Sequence, residues 1–150
     1  EIPNLAGRVV LLRWWTDTCP FCSTTAPVLR ELDQTYGDRG LLVIGIFHPK
    51  PAGDPDLERM RRATSQFEFT FPVALDADWT ALRRWWLDRR PRGWTSVSFL
   101  LDRDGTIRYV HPGGEFHPGS GGNHWPDHQT CNGEYDRLVG LIEELLPPDP

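Results

Sequence analysis

A near-continuous apolar run from Gly7 to Trp15, GRVVLLRWW, ends just before two cysteines, Cys19 and Cys22, and these lead into the helix-like stretch STTAPVLRELDQTYG. That junction constrains the fold more than any other feature. β-Branched and aromatic residues in a run without polar alternation belong to a strand covered on both faces. The following stretch places Ala26, Leu29 and Leu32 at helical spacing, with a kink or a start at Pro27 and a stop at Gly37. A second apolar run, Leu41 to Phe47 within GLLVIGIFHP, completes strand, helix, strand. That order implies a parallel sheet with a right-handed crossover.

The rest of the chain extends this pattern. DPDLERMRRATSQF carries Leu57, Met60, Ala63 and Phe67 on one helical face, with Asp54 or Asp56 as the N-cap. FPVALD reads as a short third strand, and DWTALRRWWL as a helix turning Leu82, Trp85 and Trp86 inward. SVSFLLDRDGTIRYVH reads as a hairpin turning at Asp104-Gly105. EYDRLVGLIEELL reads as a closing amphipathic helix. The expected fold class is α/β, a mixed central sheet with helices on both faces, one domain over residues 1–150, with a long loop before the C-terminal helix.

Charge and composition exclude several functions. The net charge is -5, and Lys and Arg form no single block, which argues against nucleic acid as a partner. No apolar run approaches the ~20 residues of a membrane helix. No signal peptide is visible, and the abrupt start at Glu1 is compatible with a removed leader or anchor. A monomer is expected. Three cysteines are too few for a disulfide scaffold.

Three readings compete for Cys19 and Cys22. A zinc half-site needs a second ligand pair, and no second C-x-x-C exists. A structural staple gains little from so short a loop. A redox pair needs a low-pKa thiolate with a resolving thiol behind it. A helix N-terminus favours the thiolate of Cys19 and covers Cys22 one turn inside, so the redox reading leads.

LAGRVVLLRWWTDTCPFCSTTAPVLRELDQTYGDRGLLVIGI, continued through FTFPVALDAD and SFLLDRDGTIRYV, resembles the thioredoxin superfamily and its TlpA-like branch, over residues 5 to about 112. The resemblance implies a thioredoxin-like fold and a thiol-disulfide oxidoreductase, with Cys19 as nucleophile and Cys22 resolving. It implies protein thiols or disulfides as substrates, an upstream redox partner, an extracytoplasmic location, and no cofactor beyond the Cys19-Cys22 disulfide. Candidate substrate-binding residues are Trp15, Pro20, Phe21, Trp94, Thr95 and Ser96.

The chain departs from that family's pattern at three places. Ser96 stands where most members have a cis-proline, so a trans Thr95-Ser96 bond is expected, since a non-proline cis bond costs roughly 2.5–4 kcal/mol. Arg13, six residues before Cys19, stands where thioredoxins keep a buried acid, and it is read as a surface-leaning arginine; Asp17 and Glu68 remain as carboxylates for proton handling. The third departure is the Gly/Pro-rich stretch from His111 to Cys131. Strand polarity places it beside Cys19, with Phe116 and Trp125 as anchors and its imidazolium groups tuning the thiolate.

His111, His117, His124, His128 and Cys131 in that loop are candidate zinc or copper ligands. An alternative function follows, a copper- or zinc-handling protein using Cys19, Cys22 and loop histidines. A further alternative is a peroxiredoxin-like peroxide reductase, against which Asp17 and Thr18 stand in place of the Thr and Pro expected before its nucleophile.

Overall fold

The computed structural model describes residues 3–53, 55–88, 90–119 and 128–147, with His128 by its backbone alone. The expectations for Asp54, His124 and Trp125, and for the side chain of His128, lie outside the described residues. Five strands form one sheet in the order β3-β2-β1-β4-β5. They are β1 (Val9–Trp15), β2 (Leu41–Phe47), β3 (Val73–Leu75), β4 (Ser98–Leu101) and β5 (Ile107–His111). β1 pairs in parallel with β2, and β2 with β3, while β4 and β5 run antiparallel. The sheet is thus mixed, as the strand-helix alternation followed by a hairpin requires.

The central strand explains the layering. Side chains alternate along a strand, and β1 sends Val9 and Leu11 into a core beneath α1 (Pro20–Tyr36) and α4 (His128–Leu145). Val10, Leu12 and Trp14 enter a second core on the opposite face, with Leu82, Trp86 and Phe99. Both faces of β1 are therefore dry, which is why its sequence shows no polar alternation. Arg13 falls on the same face as Val9, Leu11 and Trp15 and is fully buried, which corrects the surface-leaning reading.

The hairpin turns as expected. Gly105 has φ 80, and the Asp102 carboxylate accepts from the backbone N–H groups of Asp104 and Thr106. α2 (Leu57–Gln66) is capped by Asp56, whose side chain accepts from Arg59 N. Its apolar face is narrower than its spacing suggests, because Leu57 is 47% exposed. α3 (Thr80–Leu82) runs into a π-helical turn, Arg83–Leu87, closed by Asp88 N to Arg83 O. The wider turn leaves Trp85 39% exposed, though its ring still meets Trp14 and Phe99, and buries Trp86.

Two boundaries differ from the sequence reading. α1 begins at Pro20, where a proline at the first helical position loses no hydrogen bond, and it continues through Pro27 in its interior. α4 starts at His128, earlier than the apolar periodicity that begins at Glu134; Asn132 and Gly133, poor helix formers, hid its first turn. Among the described residues no helix is long and apolar enough to cross a membrane.

Candidate active site

Cys19 caps the N-terminus of α1 in an extended conformation, φ -100 and ψ 115, and its carbonyl accepts from Cys22 N and Ser23 N. One turn later, Cys22 is buried against Trp15, Ala26 and Phe47, whereas Cys19 is half-buried. Both carry free thiols. The nucleophile position thus opens to water and the second thiol does not.

The segment before β4 closes the site from the other side. The Ser96 hydroxyl lies 3.0 Å from Cys22 Sγ and 3.6 Å from Cys19 Sγ, so one group bridges both sulfurs. The Thr95-Ser96 bond is trans, since the one cis bond among the described residues is Lys50-Pro51. A cleft of about 280 Å³ has Cys19, Pro20, Phe21, Trp94, Thr95 and Ser96 in its walls. Phe21 and Trp94 meet edge to face at 5.2 Å across it, and Trp94 is exposed.

Trp15 is not part of this cleft. It is 1% exposed and stacks on Phe47, Phe67 and Phe69 behind Cys22. Its position on the inward face of β1 fixes this, and the close approach of Gly45 to its indole leaves it no route outward. Trp15 is therefore core, a correction to its reading as a substrate-facing residue.

The electrostatics separate the two thiols. Hydrogen bonds from the Cys22 thiol, the Ser96 hydroxyl and Cys22 N–H, with the charge of Arg13, overcome burial and bring the Cys19 pKa down to about 5. Cys22 goes the other way: the proton it shares with Cys19 and its burial push its pKa well above the usual thiol value. Arg13 donates Nη1 to Ser98 Oγ at 3.2 Å and Nη2 to the Gly114 carbonyl at 2.8 Å. Its guanidinium stands 5.6 Å from the centre of the Phe116 ring. The loop after β5 thus fixes the buried cation beside the cysteine pair, and Phe116 anchors it as expected.

The histidines play a different part from the one their number suggests. Burial lowers both His48 and His111 to about 3, so neither carries a charge near neutral pH. His48 Nε2 lies 2.9 Å from Thr95 Oγ1, and its ring meets Trp79, which steadies the segment that holds Ser96. Among the described residues, the charge that acts on the thiolate is that of Arg13, and His111 supplies none. The two carboxylates considered for proton handling are engaged elsewhere, Asp17 by Arg59 at 2.8 Å and Glu68 by Arg30 at 3.2 Å.

Sequence reasoning missed Arg13 as a site residue, His48 as a support, and Glu115. Glu115 is buried together with His117 and Cys131, and these three offer metal-ligating atoms within 4.8 Å of one another. His111 shares the wall of one cavity with Glu115 and Cys131. Neither Cys19 nor Cys22 belongs to that cluster.

The AhpC/TSA family model matches residues 1–110. Protein DipZ of Mycobacterium tuberculosis is 29% identical over 146 residues, covering 97% of this chain and 18% of that protein. Thiol-disulfide oxidoreductase ResA of Bacillus cereus is 26% identical over 107 residues, covering 71% of this chain and 56% of that protein. The chain thus spans less than a fifth of DipZ and little more than half of ResA. Among solved structures, a secreted Mycobacterium tuberculosis disulfide oxidoreductase homologous to E. coli DsbE superposes with TM-score 0.63 at 22% identity, covering 94% of this chain and 84% of that one. A thiol:disulfide interchange protein of the thioredoxin family from Chlorobium tepidum superposes with TM-score 0.63 at 18% identity, covering 92% and 81%. Similarity at that level shows a shared fold, and the fold is thioredoxin-like.

Proposed function

The chain belongs to the AhpC/TSA family, and from that membership and the geometry of its cysteine pair we propose that it is a thiol-disulfide oxidoreductase acting on protein substrates outside the cytoplasm. The observation that carries this reading is the asymmetry of the pair: an accessible Cys19 with a pKa of about 5, and a covered Cys22 that keeps its proton. The likeness to ResA and to a disulfide oxidoreductase described as secreted supports both the chemistry and the compartment.

The exchange follows from the arrangement. The Cys19 thiolate attacks one sulfur of a substrate disulfide, forming a mixed disulfide and expelling a substrate thiolate. The charge that held the proton on Cys22 is then gone, and Arg13 and Ser96 favour the Cys22 thiolate. The Cys22 proton passes through the Ser96 hydroxyl to the expelled thiolate. Cys22 attacks Cys19 Sγ and releases the second substrate sulfur, which takes a proton from water. The substrate gains two electrons and the Cys19-Cys22 disulfide forms; an upstream redox partner reverses the change. The half-buried Thr95 segment and the Phe21-Trp94 walls accept an extended segment of the substrate.

A stabilised thiolate stabilises the reduced form, so the pair should be more oxidising than thioredoxin, at ~-270 mV. Titration against glutathione buffers, followed by turnover of a disulfide-containing protein substrate, tests this. A reversible two-electron couple above that value, with turnover lost in Cys19→Ser, is expected. A pair with no reversible couple would remove the proposal. A peroxide reductase is less well supported, because a second thiol sits within hydrogen-bond reach of the nucleophile and the relative ResA is a thiol-disulfide oxidoreductase.

A further inference from the structure

Beyond the redox pair, the geometry points to a divalent transition-metal site, zinc by preference, formed by Glu115, His117 and Cys131. Glu115 and His117 lie in the loop after β5, and Cys131 lies in the first turn of α4. Their ligating atoms fall within 4.8 Å of one another, and the residues are 3%, 4% and 2% exposed. Tetrahedral zinc, with bonds of about 2.0–2.3 Å, sets ligand atoms about 3.5 Å apart, so small side-chain rotations complete the site.

Three observations point to a metal ion. The donor set of one sulfur, one nitrogen and one oxygen is what zinc takes. A thiolate and a carboxylate together would balance the charge of a divalent cation. His117 Nδ1 lies 3.4 Å from the Pro118 carbonyl, the outer bond that holds a ligating imidazole in place and leaves Nε2 with the lone pair.

A cavity of about 190 Å³ adjoins the cluster, with His111, Glu115, Cys131 and Trp94 in its wall. It has room for a water as fourth ligand. His111 is buried in that wall, and its Nδ1 has no hydrogen-bond partner among the described residues. The bound metal would staple the loop to α4. The same loop supplies Gly114 O and the Phe116 ring to Arg13, so the staple would also hold the buried cation that faces the cysteine pair.

The test keeps the redox cysteines out of the measurement. Full-length protein with the Cys19-Cys22 disulfide closed, and the double variant C19S/C22S beside it, are stripped with chelator, given Zn²⁺ and dialysed. Both should retain about one zinc per chain. Cys131→Ser and His117→Ala should each weaken retention at least ~10-fold, and Co²⁺ should show a thiolate charge-transfer band that Cys131→Ser lacks. If a variant does not fold, zinc should still slow alkylation of Cys131 in the folded disulfide form at least ~10-fold. No retained zinc in either folded protein, a cobalt band that survives Cys131→Ser, or unchanged Cys131 alkylation would each overturn the site. None of these readouts depends on oxidoreductase activity, so the two readings can fail separately.

Discussion

Cys19 and Cys131 are thiols in one small chain, each at the start of a helix, yet their surroundings prepare them for different chemistry. Cys19 opens onto a cleft and is surrounded by donors, the Cys22 thiol, the Ser96 hydroxyl and Cys22 N–H, that stabilise an anion in contact with water. Cys131 is shut away beside a carboxylate and an imidazole, close enough to share a cation with them. A helix N-terminus alone therefore does not decide what a cysteine does. Access to water and the kind of partner decide it, and Arg13, held by the loop that carries the second cluster, links the two regions.

The comparison breaks most simply by removing each sulfur. Cys19→Ser should lower disulfide turnover by at least ~10³-fold, because the nucleophile is gone. Cys131→Ser should change turnover only a few-fold at most, since its sulfur touches no reacting atom. Equal losses in stopped-flow turnover assays would show that the two regions are one site.

Arg13→Met sharpens the electrostatic half. Loss of the buried cation should raise the Cys19 pKa and make the pair more reducing, by less than loss of the Ser96 hydroxyl does. Stability should fall by about 1–3 kcal/mol, because the buried Gly114 carbonyl loses its donor. An unchanged potential would mean that the hydrogen bonds alone hold the thiolate. Ser96→Ala tests those bonds, and should raise the Cys19 pKa by about half a unit to one unit, with a matching fall in alkylation rate below pH 7.

These two positions also show what the sequence could and could not convey. The strand-cysteine-helix junction, the hairpin at Asp104-Gly105 and the approach of Ser96 to the sulfurs were legible, because each rests on local periodicity, turn chemistry or one family resemblance. The inward direction of Arg13 and Trp15 was implicit in the alternation along β1, but a run apolar on both faces gives no sign of which layer covers each side chain. Arg13 acquires its role from Gly114 and Phe116, about a hundred residues away in the chain. Glu115, between a glycine pair and a phenylalanine in an irregular stretch, carries no periodic signal; only the packing of the loop against α4 shows that it is buried.

A further effect should appear in stability. The Cys19 thiol has a pKa of about 5 when folded, well below the ordinary thiol value of 9.0. Between those values the folded reduced protein binds fewer protons than the unfolded chain, so its stability rises with pH across the window and is lost as pH falls through about 5. Thermal melts of the reduced protein should show this rise relative to Cys19→Ser; parallel melting curves would place the thiolate's stabilisation elsewhere.

The most direct test of the central claim is the pH dependence of alkylation in the reduced protein, resolved by residue with mass spectrometry. Cys19 should react first, with Cys22 and Cys131 far behind, and its rate should rise through a midpoint of about 5. No second step should appear near pH ~6.5, the ordinary histidine range, because His48 and His111 are neutral throughout it. A midpoint at the ordinary thiol value of ~8.5, or preferential labelling of Cys22, would contradict the account.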